Sequence, residues 1–123
     1  SPDDFETLVE LIFSNTLRRI SKVGKVQKYV DIVFEDPLSP GGDEQCVQVK
    51  SQTSVKQLRE YLDDPQRQSY SRFFYVFHKS DDLTEDYEIP PQYTGDIRII
   101  GVETLAGLAV ENGLVSWLVN KSG

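Results

Sequence analysis

The sequence predicts an α/β domain in which a mixed sheet of four or five strands is flanked by helices on both faces. Three features carry that prediction. Apolar residues recur at helical spacing through the first twenty positions; two strand-like segments follow each other across a Pro- and Gly-rich break; and a near-continuous apolar run spans Phe73 to Phe77. With 123 residues and 38% hydrophobic composition, the chain suffices for one domain with a real core.

The elements read in order. Phe5, Leu8, Val9, Ile12, Phe13, Thr16, Leu17 and Ile20 form one apolar helical face. Asp3 or Asp4 suits its positive end, Arg18 and Arg19 suit its negative end, and Gly24 breaks the pattern. Val26 to Glu35 is rich in β-branched and aromatic residues and reads as a strand. Pro37, Pro40, Gly41 and Gly42 make the next stretch a loop or wide hairpin. Gln45 to Lys50 alternates cleanly, with Cys46, Gln48 and Lys50 on one face and Val47 and Val49 on the other.

Ser54 followed by Gln57 has capping-box spacing, and Val55, Leu58, Tyr61 and Leu62 give the following helix its buried side. Asp63-Asp64-Pro65 ends that helix. Phe73 to Phe77 reads as a strand covered on both faces. A polar, Pro-rich loop from Ser80 to Gly95 precedes a strand over Ile97–Val102 and a helix over about Glu103–Glu111, with Asn112-Gly113 as its stop signal. A short closing helix is expected over Leu114–Val119, around Trp117, the only tryptophan.

Charge and composition narrow the function. The formal net charge is -7, against the basic footprint usual in nucleic-acid binders. The distribution is uneven: Arg18, Arg19, Lys22, Lys25 and Lys28 fall in one stretch without an acid. Asp81, Asp82, Glu85, Asp86 and Glu88 read as a solvated acidic loop, as do the acids at Glu35, Asp36, Asp43 and Glu44. One cysteine, Cys46, excludes an internal disulfide and a multi-cysteine zinc site, and suits a reducing cytoplasm. It reads as a small core residue. The single histidine, His78, cannot build a histidine-rich zinc site and reads as structural or surface. There is no phosphate-binding loop and no apolar run long enough to span a bilayer. The Ser1-Pro2 opening and the lack of any methionine read as a domain cut from a longer protein.

One polar constellation remains. Gln48 and Lys50 project from the same strand face, and Asp31 sits between Val30 and Ile32 in the preceding strand, where an unpaired carboxylate is costly. If the two strands pair, a carboxylate, an amide oxygen and an ammonium converge. Oxygen donors of this kind suit Mg²⁺, and the lysine would polarise the attacking water or steady developing phosphorane charge. The structural alternative is a buried Asp31–Lys50 ion pair.

Asp31, a sixteen-residue spacer and Gln48-Val49-Lys50 resemble the core of the PD-(D/E)XK, or restriction-endonuclease-like, nuclease superfamily. Glutamine in place of the second acid resembles the Mrr-like branch with its Q-x-K motif. The opening Asp4-Phe5-Glu6-Thr7-Leu8-Val9 is similar to the first helix of that branch, whose Phe-Glu pair brings a glutamate to the active site. Of seven lysines, only Lys50 follows an acid or amide by two positions. The resemblance covers residues 4 to about 110. Val30 departs from it, standing where the superfamily motif has proline before the acid, and Gln48 lowers the anionic charge available to a metal.

The resemblance implies a restriction-endonuclease-like core and a Mg²⁺-dependent DNA endonuclease, with Mn²⁺ as a substitute. Catalytic residues would be Glu6, Asp31, Gln48 and Lys50, with metal ligation by Glu6, Asp31, the Gln48 side chain and the Val49 carbonyl. Glu10, one turn beyond Glu6, is a substitute ligand. Arg18, Arg19, Lys22, Lys25 and Gln52 are the expected phosphate contacts, reading backbone rather than bases. A targeting domain or subunit of a larger restriction or defence protein would supply specificity, and a homodimer would serve double-strand cutting. RNA is a further substrate class left open. The alternative is a catalytically inactive scaffold of the same fold, holding a partner through its acidic surface or the Trp117 helix.

Overall fold

The computed structural model describes residues 2–14, 18–22, 32–35, 38 and 43–111. Its elements are α1 (Pro2–Ser14), β1 (Arg18–Lys22), β2 (Ile32–Glu35), β3 (Glu44–Thr53), α2 (Val55–Asp63), β4 (Arg72–Ser80), β5 (Asp96–Ile100) and α3 (Val102–Glu111), with a 3₁₀ turn over Pro65–Ser69. The strands form one five-stranded sheet in the order β1-β2-β3-β4-β5. β1, β2 and β3 are antiparallel neighbours, whereas β3, β4 and β5 run parallel. This is the mixed α/β sheet with helices on both faces that the sequence predicts.

Alternation along the strands divides the core into two layers. On one face, Leu8, Val9, Ile12 and Phe13 of α1 and Leu105 and Ala109 of α3 pack on Ile32, Phe34, Val47 and Val76. On the other, Leu58, Tyr61 and Leu62 of α2 pack on Val33, Cys46, Phe73, Tyr75 and Phe77. Cys46 is fully buried, as a small core residue should be. His78 is exposed, its ring 5.2 Å from that of Phe5.

The first helix is shorter than its periodicity suggests. α1 stops at Ser14, and Arg18–Lys22 is an edge strand with a register shift between Arg19 and Ser21. Apolar positions 17 and 20 continue the helical spacing, but pairing with β2 overrides that local signal. Arg18, Arg19 and Lys22 thus belong to the first strand in the order of the described sheet. Of the strand expected over Val26–Glu35, Ile32–Glu35 is β2; the rest, including Lys25, Lys28, Val30 and Asp31, lies outside the described residues. So does the expected closing helix around Trp117.

The segment between β4 and β5 keeps its acids Asp81, Asp82, Glu85, Asp86 and Glu88 exposed, as expected, but its apolar residues make it a packed strap. Leu83 is buried, and Tyr87, Ile89 and Tyr93 pack against the α2 layer. Two of its acids cap helices. Asp82 Oδ1 accepts from Val55 N at 3.0 Å, at the start of α2, where Ser54 Oγ also accepts from Gln57 N at 3.1 Å. Glu85 Oε1 accepts from Gly101 N at 2.5 Å and Thr104 N at 3.3 Å, and Oε2 accepts from the Thr104 hydroxyl at 2.6 Å. The positive end of each helix explains the attraction. Arg67, 6% exposed, ties α2 to the strap's end through Leu62 O at 3.0 Å and Thr94 O at 2.9 Å.

Gly101 makes the α3 cap sterically possible. A Cβ there would lie 2.7 Å from Glu85 Oε1 and 2.8 Å from its Cγ. Gly101→Ala is therefore expected to expel Glu85 and to cost about 1 kcal/mol, the usual worth of a cap. Urea denaturation checks this: in a Glu85→Ala background the same substitution should cost almost nothing further.

Candidate functional site

β3 organises the site. Its described ladder with β2 runs from Glu35↔Glu44 to Ile32↔Val47, and on the other side Gln48 and Lys50 register with Tyr75 and Phe77 of β4. Val47 and Val49 belong to the α1 layer, so Gln48 and Lys50 leave the sheet toward α2. Gln48 is 5% exposed and Lys50 half-buried.

Lys50 Nζ donates a long hydrogen bond of 3.4 Å to the Tyr61 hydroxyl and lies 5.6 Å from the centre of that ring. Among the described residues, no carboxylate forms an ion pair with it. Behind this pair stands a second polar group. The Thr53 hydroxyl donates to Gln57 Oε1 at 3.1 Å and shares a short hydrogen bond with the Tyr75 hydroxyl. The Tyr61 and Tyr75 rings are 5.5 Å apart, inclined by 59°. Burial, partly offset by the Thr53 hydrogen bond, pushes the Tyr75 phenol up to about 12.

The structure brings Gln48 and Lys50 to one face and adds Tyr61 to them. Glu6 and Glu10 ride on α1, in the layer that covers the opposite, Val47/Val49 face. Val49 is partly buried in that layer, with its backbone in the β3–β4 ladder. Gln52 is exposed beyond Lys50, beside Lys79 of β4. Asp31 and Lys25 lie outside the described residues.

The expected ligands that the structure describes are all oxygen-bearing: Gln48 and Val49 on β3 and, on α1 over the opposite face, Glu6. That chemistry fits Mg²⁺ or Mn²⁺ rather than a softer ion. Among the described residues, no group of three His, Cys, Asp or Glu side chains converges.

Tyr61 is the site residue that sequence reading assigns only to the core. Its signal was present, since the strand face carrying Lys50 is the one the α2 helix must cover, and Tyr61 is the polar-tipped residue on that helix's buried side. Among the described residues, no helix is long and apolar enough to cross a membrane. The chain matches no known protein family, no curated protein and no solved structure.

Proposed function

We propose that the chain is a metal-dependent phosphodiesterase domain that cleaves DNA, built on a restriction-endonuclease-like core of the Mrr-like, Q-x-K type. The observation that carries this reading is the Lys50 ammonium: half-buried on an interior strand, beside a buried amide and, among the described residues, held by a neutral phenol rather than a carboxylate. A purely structural lysine in such a place is ordinarily neutralised by an acid. Among the described residues no acid neutralises it, so in this reading its charge serves a substrate anion.

The β2–β3 register supports the rest. Ile32 faces Val47, so one further step of the same antiparallel ladder would set Asp31 across from Gln48, on its face. Asp31, the Gln48 oxygen and the Val49 carbonyl would then hold the ion, whereas Glu6, expected as a fourth ligand, rides on α1 over the opposite face and is not part of this set. A bound divalent ion supplies the polarisation of water and part of the charge neutralisation at phosphorus. Lys50 donates to a non-bridging phosphate oxygen and so stabilises charge as water adds to phosphorus and a P–O bond breaks. Gln48 fixes the orientation of the oxygen it faces without adding negative charge. Backbone contact would come from Arg18, Arg19, Lys22, Lys25 and Gln52, with targeting left to another domain or subunit, or to a second copy.

The test is supercoiled plasmid with Mg²⁺ or Mn²⁺. The reading predicts nicking that chelation stops. No nicking with either ion would instead favour the scaffold alternative, to which the net charge of -7 lends weight.

A further inference from the structure

We propose that Tyr61 is a positioning residue for Lys50, holding the ammonium in place while leaving its charge unquenched. The inference rests on the phosphodiesterase reading of the same site and deepens it. A lysine side chain has four rotatable bonds, and fixing it costs about 1.5–2 kcal/mol of rotamer entropy. A carboxylate partner would meet that cost but would cancel the charge needed at phosphorus. A phenol oxygen accepts one N–H and carries no net charge, so it fixes the ammonium without neutralising it and leaves two of its three N–H donors to other partners.

The phenol must itself be immobile for this to work, and the packing makes it so. Tyr61 is 6% exposed, with Leu58 and Leu62 of the same helix buried beside it. Its ring rests on that of Tyr75, whose hydroxyl is tied to Thr53. Thr53 in turn donates to Gln57, one turn before Tyr61 on α2. The α2 helix is thus fastened to the end of β3 by Thr53 and, through Val55, to the strap by Asp82. Lys50, Tyr61, Tyr75, Thr53 and Gln57 form one polar seam between sheet and helix, with the ammonium at its open end. The offset of 5.6 Å from the ring centre adds cation–π attraction without a second hydrogen bond.

Tyr61→Phe deletes one oxygen and keeps the packing. Plasmid nicking by the full chain is followed at varied plasmid concentration, alongside thermal unfolding, for wild type, Tyr61→Phe, Lys50→Ala and the packing control Leu105→Ala, on the α3 side of the sheet. The expected result is a kcat about tenfold lower in Tyr61→Phe, an unchanged KM and an unchanged melting temperature, while Leu105→Ala lowers the melting temperature but not kcat. If Lys50→Ala is inactive and Tyr61→Phe cleaves at the wild-type rate, the positioning role is wrong and the site reading stands. A loss in Tyr61→Phe that merely tracks its melting temperature also overturns the positioning role. Equal nicking by wild type and Lys50→Ala, or none by wild type, overturns the site reading and the positioning role together.

Discussion

Lys50→Ala is expected to lower metal-dependent nicking by about 100- to 1,000-fold while the fold survives. The magnitude is that of removing one preorganised donor aimed at charge developing in a transition state. Survival of the fold follows from where Lys50 sits. β3 keeps its ladders with β2 and β4, and its buried side chains Cys46 and Val47 are untouched. The Tyr61 hydroxyl that loses its donor is neutral, so no charge is stranded in the protein. Lys50→Arg is not expected to restore full activity, because a planar guanidinium spreads the charge that the ammonium concentrates. Initial nicking rates and melting temperatures for the three proteins check the prediction. A stable Lys50→Ala with an undiminished rate would show that the ammonium serves no chemical step.

The second large effect is on stability at high pH. Burial pushes the Tyr75 phenol up to about 12, whereas in the unfolded chain it titrates near its ordinary value of about 10. Below about pH 10 the proton is bound in both states, and Tyr75 makes no difference to the pH dependence. Between about 10 and 12 the unfolded chain releases it and the folded chain does not, so stability falls as pH rises. Two pH units correspond to about 2–3 kcal/mol. Tyr75→Phe should remove this slope, since its ring fills the same space and cannot ionise. Urea midpoints measured from pH 8 to 12 for the two proteins check it: the curves should diverge above about pH 10, with wild type losing more. Parallel curves would mean that Tyr75 is not shielded from water as its position indicates.

Where structure follows from a local pattern, it can be read directly from the residues. The Ser54 cap, the alternation through Val47, Gln48, Val49 and Lys50, and the apolar run at Phe73–Phe77 are each decided within a few residues, and each is present. β1 is different. Thr16, Leu17 and Ile20 continue a helical spacing, and only pairing with β2 makes Arg18–Lys22 a strand. The acids Asp82 and Glu85 are exposed, as their sequence neighbours suggest, but the helix ends they cap, at Val55, Gly101 and Thr104, lie 16 to 27 positions away and are not legible locally. The same holds for the site. The Gln48–Lys50 pair is a strand pattern and is legible, whereas Tyr61 meets Lys50 only once α2 has folded back over the sheet. Glu6 is legible as a helix residue, but which face of β3 that helix covers is a question of topology.

The proposed activity depends on Asp31 joining Gln48 around a divalent ion, and calorimetric titration of Mn²⁺ into the wild-type chain and Asp31→Asn tests that without any substrate. One weak site in the wild type, weakened by at least about tenfold in Asp31→Asn and retained in Lys50→Ala, is the predicted result. Equal binding by wild type and Asp31→Asn, or no binding by the wild type, would contradict it.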